Sequence, residues 1–227
     1  MDRKYYIFLF LFFLCVTIIA VLSYYGIDIN KEKEINYYII KQTFSSASDP
    51  PEELYIRYYN IKENRDMRTT FSETSDLRNI RGYSTTYASS GKTINYTFDP
   101  KGKLNYRTVT TSDRGYALWN LDSIEVGQKW EGNITIETRD MENEQTFTTY
   151  YNFETEVLSY EEIKVEAGKF ECYKIRCIIS TEYEGDIVKQ INTLWYAPDL
   201  KIIIKGINTP NCKCSECTST SELIEYG

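Results

Sequence analysis

The stretch Ser159 to Ile179, SYEEIKVEAGKFECYKIRCII, constrains this chain more than any other, because it reads as two β-strands folded back through Glu166-Ala167-Gly168-Lys169. Glycine reaches positive φ without a steric penalty, so Gly168 is expected to take the left-handed position that a hairpin turn needs. Beyond the turn the side chains alternate. Tyr173, Ile175, Cys177 and Ile179 share one parity, and Cys172, Lys174 and Arg176 the other. One face should be dry and the other wet.

Similar alternation, broken by turn residues, recurs from Leu54 to Ile207. Thr93 to Phe98 assigns Ile94, Tyr96 and Phe98 to a core and Thr93, Asn95 and Thr97 to water. Trp130, Ile134 and Ile136 oppose Glu131, Asn133, Thr135 and Glu137, while Phe147, Tyr151, Phe153 and Val157 alternate along a long strand that feeds the hairpin. Lys201 to Ile207 is the most apolar strand. Aromatic residues make up 15% of the chain, with 21 Tyr, and together with Ile, Val and Thr they favour strands over helices. About nine strands are expected. A single open sheet of that size must curl or pack on something. The expected fold is therefore mainly β, a curved antiparallel sheet or half-open barrel, preceded by one N-terminal transmembrane helix.

That helix is Tyr5 to Tyr25, YYIFLFLFFLCVTIIAVLSYY, a charge-free run with tyrosine pairs at both ends. About 20 apolar residues suffice to cross a bilayer core, and tyrosine suits the headgroup level. The run exceeds a usual signal-peptide core and no small-x-small cleavage site follows it, which favours an uncleaved anchor. Residues 1–27 form this anchor, 28–53 a stalk containing KEKE and Pro50-Pro51, 54–208 the β domain and 209–227 a cysteine-rich tail. The protein is expected in the cell membrane as a single-pass chain, its N-terminus cytoplasmic and its C-terminal domain extracytoplasmic.

The sequence contains no histidine, which excludes Ser-His-Asp and Cys-His catalysis and His-based zinc sites. Its net charge of −7 disfavours nucleic acid as a partner. Glu154, Glu156, Glu161 and Glu162 could be offered as paired carboxylates, but on strands at this spacing they read as a solvated face. No enzyme activity and no cofactor are expected. Cys172, Cys177, Cys212, Cys214 and Cys217 follow the anchor. Outside the cell they read first as disulfide candidates, with one bridge from Cys172 to the tail, and secondarily as metal-binding or redox thiols. Asn95-Tyr96-Thr97 and Asn133-Ile134-Thr135 are sequons, with both asparagines on the polar parity of their strands.

The segments EVGQKW, SYEEIKVEAGKFECYKI and LWYAPDLKIIIK resemble a family of uncharacterised secreted or membrane-anchored β-domains of bacteria and archaea. A Gly-x-x-Trp strand start, a Val-x-Ala-Gly-x-Phe hairpin and a Trp-Tyr-x-Pro strand end recur there in this order. The resemblance covers Leu121 to Ile207; Glu166 stands where that family frequently has proline, and the cysteine tail is an addition. Such domains are similar in turn to open-barrel carriers of lipoproteins or lipids. That implies a binding module whose curved sheet holds an apolar or lipid-like ligand. The alternative is a surface protein acting through protein contacts without a ligand.

Overall fold

The computed structural model describes residues 36–45, 51–64, 67–74, 80–87, 91–113, 124–183, 185–211 and 218–227. The strands are β1 (Tyr37–Ser45), β2 (Glu52–Asn64), β3 (Met67–Thr74), β4 (Arg81–Tyr87), β5 (Lys92–Phe98) and β6 (Leu104–Ser112), followed by β7 (Lys129–Asp140), β8 (Thr146–Val165), β9 (Gly168–Tyr183), β10 (Asp186–Ala197), β11 (Ile202–Asn211) and β12 (Thr218–Tyr226). Each strand pairs antiparallel with its sequence neighbours, and β12 returns to β1, so the sheet closes into a barrel. Mainly β and antiparallel is what the alternation leads one to expect; the open or half-open edge is replaced by full closure. The two closing strands come from stretches read as stalk and tail, Tyr37–Ser45 and Thr218–Tyr226. Closure removes the free edges that a long open sheet would present. The apolar run Tyr5 to Tyr25 lies outside the described residues, and among those residues no helix is long and apolar enough to cross a membrane.

The hairpin that dominates the sequence is the longest in the barrel. Val165 pairs with Gly168 across Glu166-Ala167, and Gly168 has the positive φ expected of it, 141°. Farther up, Val157 pairs with Ile175 but Ser159 with Lys174, so Leu158 is an extra residue in β8 that bends the strand. The tip then turns onto β12: the Ala167 amide donates to the Leu223 carbonyl at 3.3 Å, and the Glu166 amide to Glu222 Oε1 at 3.1 Å.

Two cores result. The first packs Ile134, Ile136, Tyr151, Phe153, Val157, Ile175, Cys177 and Ile179, which the sequence parity of β7, β8 and β9 assigns to the dry side, with Leu194, Tyr196 and Ile203 of β10 and β11; Phe147, given the same parity near the start of β8, is instead 55% exposed. The second packs Tyr38, Ile40, Leu54, Ile56, Tyr58 and Leu223 against Val165, Cys172, Trp195, Ala197, Ile202 and Ile204. Adjacent residues of a strand point to opposite faces. With Leu194 and Tyr196 in the first core and Trp195 and Ala197 in the second, the end of β10 is a wall buried on both sides.

Candidate functional site

On β5 the barrel wall reverses the polarity the sequence parity predicts. Thr93, Asn95 and Thr97 are buried, whereas Ile94, Tyr96 and Phe98 are only partly covered. The cross-strand registers place Thr70, Ser84, Asn95, Thr108 and Thr138 in one inward row, and Thr86, Thr93, Thr110 and Ile136 in the next. The inward hydroxyls pair across strands: Thr86 Oγ1 lies 3.3 Å from Thr93 Oγ1, and Thr108 Oγ1 lies 3.3 Å from Thr138 Oγ1. Small β-branched side chains fit a pleated wall and satisfy one another there. Among the described residues Asn95 Nδ2 and Thr110 Oγ1 on this wall, and Gln42 Oε1 and Asn192 Nδ2 elsewhere in the interior, have no hydrogen-bond partner.

The outward face of the same wall carries the aromatic residues. Tyr37, Tyr59, Phe71, Tyr83 and Tyr96 face one another in register across β1 to β5, and the row continues as Arg107 on β6 and Arg139 on β7. Ring centroids are 6.0 Å apart for Tyr59 and Phe71, 5.0 Å for Phe71 and Tyr83, and 5.9 Å for Tyr83 and Phe98, within the range in which aromatic pairs attract. The ladder is tied down at one end by the Tyr59 hydroxyl donating to Glu73 Oε1 at 3.3 Å. Tyr83 is 43% exposed.

The missed signal was charge. On β4, β5 and β6 the charged residues are Arg81, Lys92 and Arg107, and by parity and register they share the aromatic face, while the hydroxyl face carries none. Lysine and arginine are almost never fully buried unless paired. Their parity therefore marks the outside more reliably than the aromatic residues mark the inside.

The other candidate residues fall as follows. Asn95 is 7% exposed and points inward, which overturns its placement on the wet face. Asn133 is exposed, its Nδ2 donating to Asp113 Oδ2 at 2.7 Å. Cys172 is a free thiol with no exposed surface. Its wet-face placement, on which a bridge to the tail depends, is therefore corrected: the outer face of β9 at Arg176 becomes the second core at Cys172. Cys177 is also a free thiol, buried in the first core, so these two sulfurs belong to different cores. Burial pushes the Cys172 thiol up to about 12 and Cys177 to about 11, which makes both poor nucleophiles. Cys212, Cys214 and Cys217 lie outside the described residues. Among those described, no group of His, Cys, Asp and Glu is gathered that could hold a metal ion.

The carboxylates are held by cations. Glu156 accepts from Lys129 at 3.2 Å and from Arg176, and its carboxyl is lowered chiefly by the Lys129 hydrogen bond and then by Arg176. An open groove of about 410 Å³ runs past these three residues and Trp130. Glu161 accepts from Trp195 Nε1 at 2.8 Å, and that bond chiefly lowers its carboxyl. Neither carboxylate is poised as a general acid.

The class that fold and wall define is a closed, twelve-stranded antiparallel barrel with part of its wall turned inside out. Residues 120–206 match a family model described as DUF3108-like, nearly the span, Leu121 to Ile207, on which the sequence resemblance rests. Three solved structures are similar to the chain. One is provisionally described as an exported protein with a YmcC-like fold from Bacteroides fragilis (13% identity, 86% of this chain and 97% of that one, TM-score 0.41). Another is provisionally described as a lipoprotein from Parabacteroides distasonis (12%, 86% and 96%, 0.44). The third is the lipoprotein YmcC, also provisionally so described, from Escherichia coli (12%, 86% and 90%, 0.46). A comparison with curated proteins finds no match.

Proposed function

We propose that this chain is a single-pass membrane protein whose barrel stands outside the cytoplasm and works by contact through its outer wall, without enzymatic activity or a cofactor. The observation that carries this reading is the wall of β3 to β6, which turns aromatic rings outward and hydroxyls inward. An exposed aromatic surface of this kind is a common mark of an interaction site. An apolar ligand held in the barrel is the rival reading. Against it, the first core is filled by the chain's own side chains, with Ile175 0%, Phe153 1% and Val157 1% exposed.

Native mass spectrometry of the full chain, extracted from membranes in mild detergent, tests the choice. The expected result is a bare protein mass once detergent is stripped. A lipid retained at one copy per chain until the barrel unfolds would replace the contact reading with a carrier.

A further inference from the structure

The outer wall of β3 to β6 combines two properties that suit one kind of surface. Its aromatic rings are partly exposed, Tyr83 the most at 43%, and Tyr and Trp belong at the level where lipid headgroups meet acyl chains. Its strands β4 to β6 carry Arg81, Lys92 and Arg107 and no carboxylate, in a chain of net charge −7. Among the described residues none of these cations has an ion-pair partner, and neither has Arg139. Glu73 on β3 stands opposite Arg81 and accepts the Tyr59 hydroxyl; Asp99 and Asp113 follow the ends of β5 and β6, and Glu137 lies on β7. Net negative charge elsewhere on the molecule does not cancel this patch, because charges more than about 8 Å apart in solvent are screened at physiological salt.

Chain order puts the patch beside a membrane. The aromatic row begins at Tyr37, the first residue of β1, and the apolar run ends at Tyr25. A chain extends by at most about 3.6 Å per residue, so the wall is tethered within reach of the headgroups. Tethering supplies a high effective concentration, and weak contacts then suffice.

We propose that Phe71, Tyr83 and Tyr96, with Arg81, Lys92 and Arg107, seat the barrel on the anionic headgroups of the membrane that holds residues 5–25. This deepens the contact reading and rests on the anchor. Each cation near an anionic surface contributes about 1 kcal/mol, or about fivefold in the ratio of seated to free barrel.

The test is hydroxyl-radical footprinting, read by mass spectrometry, on the full chain in nanodiscs of phosphatidylcholine with or without phosphatidylglycerol. Oxidation of Phe71, Tyr83 and Tyr96 should fall severalfold in the anionic discs and recover at high salt, while Tyr150 on β8, 70% exposed, stays reactive. Arg107→Gln should lower the seated-to-free ratio about fivefold. Equal oxidation of Tyr83 in both discs and in detergent overturns the proposal. Equal protection in neutral and anionic discs overturns the headgroup assignment, and protection in detergent that grows with protein concentration makes the occupant a second copy instead. A chain that does not enter discs refutes the anchor alone. Anionic vesicles added from outside then decide the wall, protection of Tyr83 supporting it and full reactivity overturning it.

Discussion

At the scale of single residues, Gly132 on β7 is closed in from two sides. A Cβ there would come within 2.8 Å of both Asp113 Oδ1 and the Phe153 ring, and Phe153 is locked in the first core. Gly132→Ala should cost about 1–3 kcal/mol through overpacking, seen as a lower urea midpoint with an unchanged slope. Cys177 gives a prediction with a sign. Burial raises its thiol from 9.0 to about 11, so between those values the folded state keeps a proton that the unfolded state has released. Stability contributed this way is complete below pH 9 and is lost as pH rises through 11. Urea midpoints should fall across that window, less steeply in Cys177→Ala, and neither Cys172 nor Cys177 should react with iodoacetamide at pH 8 until the chain is unfolded.

At the scale of elements, the bend at Leu158 decides how β8 and β9 divide their faces between two cores. It aligns Ser159 and Glu161 with Lys174 and Trp195 on the outer side. Trp195 donates to Glu161, and Lys174 Nζ stands 5.2 Å from the indole centroid, with Lys205 Nζ at 5.9 Å on the other flank. The Glu161 carboxyl is held below its ordinary 4.5, so its contribution to stability is present above that value and fades as pH falls through the folded one. Trp195 emission should therefore change below about pH 4.5 in the native protein, and Glu161→Gln, which keeps an acceptor for the indole, should remove that change. Alternation made β7, β8 and β9 legible, since charge and apolarity agree there: Ile134 and Ile136 oppose Glu131 and Glu137. On β5 they disagree, with Lys92 on the same parity as Ile94, Tyr96 and Phe98. A reading by apolarity alone turns that strand inside out. Cys172 was illegible for another reason, because what covers the outer face of β9 comes from β12 and β1, which local parity cannot register.

At the scale of the whole molecule, closure is a property of pairs distant in sequence. β12 joins β1 from Tyr38↔Tyr226 to Ser45↔Thr218, and joins β11 from Lys205↔Glu222 to Asn208↔Ser219. Neither closing strand follows a hairpin that a turn motif would announce, and for that reason an open sheet is the natural expectation from sequence. The same strand receives the tip of the β8–β9 hairpin and supplies Leu223, 0% exposed, to the second core. Truncation after Cys217 therefore does three things at once: it bares the edges of β1 and β11, empties the Leu223 position and frees the hairpin tip. Leu223→Ala empties only that position and should cost about 2–5 kcal/mol while leaving a monomer that melts cooperatively. The truncated chain should lose its cooperative thermal transition and assemble through its open edges, seen as a broad melt and oligomers by size-exclusion light scattering. A truncated chain that stays monomeric and melts like the native protein would show that the second core, not the closed hydrogen-bond ladder, holds the two ends of the sheet together.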